Sequence, residues 1–282
     1  MREYLIMKDR NKNIQILEET LAICSRGYYG VNGNRADCKL SKLQMPQAEV
    51  ILPEDDIPSI EQFTKGFTTE YRCEYSDSFG AARKLAEEGK ECILVLNFAN
   101  ASHPGGGVRN GAVAQEEDLC RKSSLLFSLE SMQARRFYNY NWKQMTNLGT
   151  NAVIITPRVE IIRDDDNNLL EESVVVAVMT CAAPNIRDGI ADMTQQQYEE
   201  MVYSRIMRML LVAASRGYNN LVLGAWGCGA FGNDPKIMSD LFKKAARETD
   251  GLFETMEFAI VRNDEKPENY NEFSRNFKSC TN

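Results

Sequence analysis

The chain is poor in the residues that build metal sites and disulfide frameworks. It has one histidine, His103, in 282 residues, and its eight cysteines (Cys24, Cys38, Cys73, Cys92, Cys120, Cys181, Cys228, Cys280) stand singly, with no Cys-x-x-Cys pair. Zinc sites and small disulfide-bonded domains need closely spaced ligands or paired cysteines, so neither class fits, and reduced thiols are expected. His103 has no partner cluster and is read as structural or solvent-exposed. Positive charge is also short: 33 Lys and Arg against 40 Asp and Glu give a formal net charge of −7. Sequence-independent binding of long nucleic acids usually needs a basic face that displaces counterions, and this balance argues against it. A small anion held by main-chain N–H groups remains compatible with an acidic protein.

Long apolar runs are absent too. None approaches the roughly 18 residues needed to span a bilayer, and MREYLIMKDRNK lacks the charged-then-apolar pattern of a signal peptide. A soluble, cytoplasmic, monomeric protein with no membrane partner is the expectation. No internal repeat or low-complexity linker marks a domain boundary. With 43% hydrophobic and 26% charged residues, the composition is that of an ordinary folded globule. One domain over 1–282 is predicted, with a helical N-terminal extension over 1–65, a core over 66–262 and a tail over 263–282.

The hydrophobic pattern alternates between helical and extended segments. Residues 13–26 read as a helix stopped by Gly27, and 76–90 as a helix capped by Asp77 or Ser78 with Gly89 past its end. The run ECILVLNFA then reads as a fully buried strand. Further helices are predicted near 117–132, 194–215 and 235–248, and strands near 152–161, 174–181, 220–225 and 255–261. Runs such as SVVVAVMTCAA show no polar alternation, as expected of strands covered on both faces. The fold class is α/β, a three-layer α/β/α sandwich with a mixed central sheet. In open α/β sheets ligands bind beyond the carboxyl ends of the strands, and two unusual loops, 97–117 and 224–235, lie at such ends.

The first loop carries Gly105, Gly106 and Gly107 in series and ends on Gln115, Glu116 and Glu117 at a helix start. Three glycines cost chain stiffness, which points to positive φ or a close approach to the main chain, though a flexible surface turn is the plainer reading. Two glutamates in a first turn also suit the helix dipole without any chemistry. Adjacent helical residues project about 100° apart, so one glutamate can enter a pocket while the other braces the loop. Glu117 is assigned to the pocket. The second loop, GAWGCGAFGNDP, sets glycines between a buried strand and a helix at Pro235, an arrangement that turns N–H groups toward an anion. It has neither the Walker ending nor a dinucleotide fingerprint, so nucleotide hydrolysis and hydride transfer lose support. Trp226 is read as core. Phe231 is open between a core anchor and a ring that packs on ligand.

These motifs, GGG followed after seven residues by QEE, the preceding NFAN at 97–100, and GAWGCGAFGNDP, resemble those of the microbial-type poly(ADP-ribose) glycohydrolases, a macrodomain family. The resemblance covers the chain from the N-terminal helix to about Ile260. It implies hydrolysis of the ribose–ribose O-glycosidic bond of poly(ADP-ribose), mainly from chain ends, with ADP-ribose as product and no cofactor or metal. Glu117 matches the catalytic second glutamate and Glu116 its supporting neighbour. Asn100 would contact the terminal ribose. Gly105, Gly106, Gly107, Gln115 and the stretch Gly227, Cys228, Gly229, Ala230 and Phe231 would enclose the ligand. Asn97 stands where related enzymes can carry an acidic residue. A hydrolase of mono-ADP-ribosylated macromolecules and a non-catalytic ADP-ribose reader are the alternatives.

Overall fold

The computed structural model describes residues 2–40, 47–190, 192–264 and 267–278. Helix α1 (Arg2–Arg26) leads into a hairpin of β1 (Tyr28–Val31) and β2 (Asn34–Asp37), followed by β3 (Glu49–Ile51). Next come β4 (Glu70–Tyr75), α2 (Ser78–Glu87) and β5 (Ile93–Phe98), then the short helices α3 (Gln115–Lys122), α4 (Leu125–Leu129) and α5 (Arg135–Lys143). A long hairpin of β6 (Val153–Arg163) and β7 (Leu169–Cys181) precedes α6 (Gln195–Ser215), β8 (Asn220–Leu223), α7 (Pro235–Glu248), β9 (Thr255–Ile260) and α8 (Glu268–Phe277).

Seven strands form the central sheet in the order β3-β6-β7-β5-β8-β9-β4. The five from β7 to β4 run parallel, while β6 is antiparallel to β7 and β3 to β6. The sheet is therefore mixed, as the sequence predicts. Its middle strands are buried on both faces because their side chains point alternately to two apolar layers. Leu94 and Leu96 of β5 pack with α6, α7 and α8, whereas Ile93 and Val95 pack with α2 to α5 and Leu17 of α1. Each large apolar side chain so buried contributes about 1.5–3 kcal/mol.

Local signals set the helix ends. Asp77 accepts from Gly80 N at 2.5 Å at the start of α2, Thr194 caps α6 by accepting from Gln197 N, and Asp234 caps α7 ahead of Pro235. Caps of this kind are worth about 1 kcal/mol each.

Four elements depart from the sequence reading. The helix predicted over 117–132 breaks at Ser123 and Ser124, because Ser123 bridges Ile161 and Ser124 exchanges bonds with the Glu160 backbone. The N-terminal segment is not only helical, since it also contains the β1–β2 hairpin, a separate two-stranded sheet, and contributes β3 as an edge strand of the central sheet. Strand β4 forms the opposite edge. The tail contains α8, whose Phe273 and Phe277 are buried against Phe258. Seven of the cysteines are free thiols, and Cys280 lies outside the described residues. Among the described residues no helix is long and apolar enough to cross a membrane.

Candidate active site

Strand β5 ends by handing its chain to the glycine loop, and Gln115 fastens the two together. Its amide donates to Leu96 O at 2.8 Å and Ser78 Oγ at 3.0 Å, and its Oε1 accepts from Phe98 N at 2.9 Å. These three bonds fix the first turn of α3 against the strand, although Ala114 at its N-cap offers no side-chain cap. Lys122, buried at the far end of α3, holds Asp118 at 2.7 Å and Asp77 at 2.6 Å and so ties α3 to the start of α2. Glu116 and Glu117 then project from a rigid base.

The two carboxylates have different partners. Glu116 is buried, accepts from Asn100 N at 2.7 Å through one oxygen and from Asn97 Nδ2 at 3.3 Å through the other. Burial pushes it up to about 8, the two N–H donors pull it back, and the neighbouring Glu117 charge adds to the rise. Glu117 Oε1 accepts from Gly107 N at 2.8 Å, while Glu117 Oε2 is buried with no partner among the described residues. A buried oxygen of this kind is costly to leave unmatched, and it points to a group that arrives with a ligand.

The three glycines serve this geometry directly. Gly106 has φ +57°, and a Cβ there would overlap Glu117 Oε1 and lie 3.1 Å from Glu116 Oε2. A Cβ on Gly105, at φ +67°, would lie 2.7 Å from Leu126 Cδ1. The close approach that the sequence predicts is thus made by the protein's own side chains. Asn100 uses its Oδ1 to accept from Ser102 N and His103 N, both at 2.9 Å, so its amide nitrogen is the end left for a ligand. His103 is exposed, as predicted.

The second loop starts at the carboxyl end of β8, the strand next to β5, so the two loops are neighbours by topology. They share an anchor. The carbonyl of Cys181, at the end of β7, accepts from Ala99 N at 3.3 Å and from Trp226 Nε1 at 3.0 Å. Trp226 is fully buried, as predicted. Gly227 has φ +79°, and a Cβ there would lie 2.6 Å from Asn233 Nδ2. Cys228 turns its thiol inward and burial raises it well above the ordinary thiol range, so its main chain is the part available. Gly229 and Ala230 are exposed and Phe231 is half-buried, packed at the edge of the apolar layer. The N–H groups of Gly229, Ala230 and Phe231 donate no hydrogen bond among the described residues.

Sequence reasoning passed over Asn233, which organises this loop. Its amide donates to Pro184 O at 2.8 Å and Gly227 O at 2.9 Å, and its Oδ1 accepts from Tyr198 OH at 2.5 Å. The position of asparagine just before a helix cap suggests local turn chemistry, and only the fold shows its reach to α6. Asn97, noted in the sequence without a role, is fully buried and bridges Glu116 at 3.3 Å and Thr180 Oγ1 at 3.2 Å.

A mixed sheet between helical layers, with two glycine-rich loops and a buried glutamate pair at its carboxyl rim, defines a macrodomain-like α/β protein. Comparison with known proteins gives the family. The model of the microbial-type poly(ADP-ribose) glycohydrolase catalytic domain matches residues 17–164, and the chain belongs to that family. It is similar to poly(ADP-ribose) glycohydrolase from Thermomonospora curvata bound to the inhibitor ADP-HPD, at 32% identity over 95% of this chain and 100% of that one, with a TM-score of 0.83. It is also similar to the Deinococcus radiodurans enzyme in complex with ADP-ribose, at 36% identity over 81% of this chain and 93% of that one, with a TM-score of 0.73. No curated protein matches it.

Proposed function

We propose that the chain hydrolyses the ribose–ribose O-glycosidic bond of poly(ADP-ribose), mainly from chain ends, and releases ADP-ribose, with Glu117 as general acid and base. The reading is carried by Glu117 itself, with one oxygen fixed by Gly107 N–H and the other buried and unmatched. A protonated Glu117 gives its proton to the departing ribose oxygen as the glycosidic bond breaks toward an oxocarbenium-like state. Its carboxylate then takes a proton from the water that attacks the anomeric carbon, which restores the acid. Glu116, buried beside it, holds Asn100 in place by accepting from its main-chain N–H.

Membership of the glycohydrolase family and the ligands named for its relatives support the substrate. The second loop suits the diphosphate, since Gly229, Ala230 and Phe231 offer main-chain N–H groups that no described residue uses. Phe231, Asn100 and Gly105 to Gly107 would close around the terminal ribose, with Gly227 and Cys228 shaping the floor through their main chain. Holding both ends of the nucleotide removes rotational freedom before the reaction begins. The first 65 residues and the tail belong to the same catalytic unit.

The test uses automodified polymer labelled in its adenosine. The wild-type protein is expected to release free ADP-ribose, and Glu117→Gln to lose activity by about 100-fold or more while it still binds ADP-ribose. Unchanged turnover in Glu117→Gln would remove the assignment. Release of long internal fragments in place of monomers would remove the chain-end preference.

A further inference from the structure

Helix α5 and the loop after it form an exposed basic and aromatic face. From Ser131 to Thr156 the sequence contains Arg135, Arg136 and Lys143 and no acidic residue, in a chain whose net charge is −7. All three cations are exposed, and none forms an ion pair among the described residues. Arg135, Arg136, Trp142 and Lys143 share the solvent side of α5 at helical spacing, opposite the buried Phe137, Tyr138 and Asn141. Trp142 is 74% exposed and Met145 93% exposed. Lone exposed apolar residues need no explanation, but an indole among unpaired cations is an uncommon surface.

Topology puts this face beside the cleft. Strand β6 runs antiparallel to β7, so the chain that enters β6 stands on the rim where β7, β5 and β8 end. Asn185 N donates to Asn147 O at 3.0 Å, and Arg205 joins Leu148 O at 2.9 Å to Ala182 O at 2.8 Å. The segment 182–187 in turn lies against the second glycine loop, with Ile186 N donating to Phe231 O at 2.9 Å and Arg187 Cγ 3.6 Å from where a Gly232 Cβ would stand. Strands lie about 4.8 Å apart, so β6 is roughly 10 Å from β5 across the sheet. Arg187 is exposed between the two surfaces; the acids nearby are Asp188 and Asp192 on that segment and Glu54, which bonds Tyr140 of α5.

We propose that this face, Arg135, Arg136, Trp142, Lys143 and Arg187, binds the poly(ADP-ribose) chain beyond the unit being cleaved. The proposal rests on the glycohydrolase reading above. Each repeat of that polymer carries a diphosphate, which the cations would pair, and an adenine, which Trp142 would stack. A site that holds the polymer outside the cleft keeps it at hand after each terminal unit leaves.

The test measures binding in the Glu117→Gln background, with long labelled polymer and with free ADP-ribose, and records sedimentation. Trp142→Ala and Arg136→Glu are each expected to weaken long-polymer binding roughly tenfold, the effect of one lost base-stacking contact or phosphate pair, with ADP-ribose binding unchanged. The charge reversal should also flatten the salt dependence of polymer binding. Unchanged polymer affinity with normal ADP-ribose binding overturns the surface alone. A dimer that Trp142→Ala splits without loss of polymer affinity assigns the face to a second copy and also overturns it. Failure of the parent protein to bind ADP-ribose at all overturns both readings.

Discussion

Gly107 N donates to Glu117 Oε1 at 2.8 Å, and this bond decides which oxygen of the carboxylate is left to act. The donor comes from a glycine whose neighbour, Gly106, must keep φ +57° for the loop to pass beneath both glutamates.

Gly106→Ala should therefore damage the site without touching a substrate contact. The added methyl would meet Glu117 Oε1 and Glu116 Oε2, and an L-residue resists the left-handed backbone. Displacement of the carboxylate is expected to lower kcat by about 100-fold, the scale of a misplaced general acid, with a stability loss of about 1–2 kcal/mol. Polymer turnover and urea unfolding of the same variant check the two parts separately.

A second carboxylate gives a pH-dependent prediction. Glu257 of β9 is fully buried, and among the described residues neither of its oxygens has a hydrogen-bond partner. Arg72 approaches to 3.9 Å but is committed to Glu70 and Glu88 at 2.8 Å. Desolvation therefore prevails and raises Glu257 to about 7, with nearby Glu74 adding to the rise and Lys84 opposing it. A raised folded value means that the native state holds its proton longer than the unfolded chain. The associated stability is full below about pH 4.5 and is lost as pH rises through about 7. Glu257→Gln should match the wild type near pH 4.5 and exceed it above pH 8 by on the order of 3 kcal/mol. Urea unfolding at the two pH values decides this, and a gap that stays constant with pH would refute it.

Helix α1 supports the catalytic loop from outside. Thr20 Oγ1 donates to Arg121 O at 2.6 Å and accepts from Arg163 Nε at 2.8 Å, while Asn13 Nδ2 donates to Gly111 O at 3.1 Å. Arg163 also holds Glu19 at 2.6 Å. Thr20→Val keeps the shape but leaves a buried guanidinium N–H and a carbonyl with one partner fewer. A loss of about 1–3 kcal/mol is expected, which corresponds to a melting temperature lower by several degrees. Calorimetry checks it, and an unchanged melting temperature would show that α1 is not needed as a brace.

The central strands were legible because β5, β8 and the second half of β7 are covered on both faces and carry apolar runs, and β9 keeps enough apolar residues around Glu257 to read as a strand. The edge strands were not. EYRCEY of β4 is polar along much of its length and pairs on one side only, and the three residues of β3 are too few for a period. The break between α3 and α4 has a non-local cause, since Ser123 and Ser124 give up helical bonds for partners on β6, some 36 residues on in the case of Glu160. Phe273 and Phe277 of α8 stand four residues apart and were a readable helical signal in the tail. At the site, residue types and spacing pointed to Glu117 and both glycine loops. The different hydrogen-bond partners that separate Glu116 from Glu117, and the reach of Asn233 to Tyr198, depend on contacts between distant segments and leave little trace in local pattern.

The shared carbonyl of Cys181 has a mechanical consequence. With Ala99 and Trp226 both fastened to one atom group at the tip of β7, the two walls of the cleft cannot drift apart independently: a displacement of either drags the same peptide plane. The solvent-facing stretches of each loop, at Ser102, His103, Gly229 and Ala230, have no such common tether and are where the cleft has room to give.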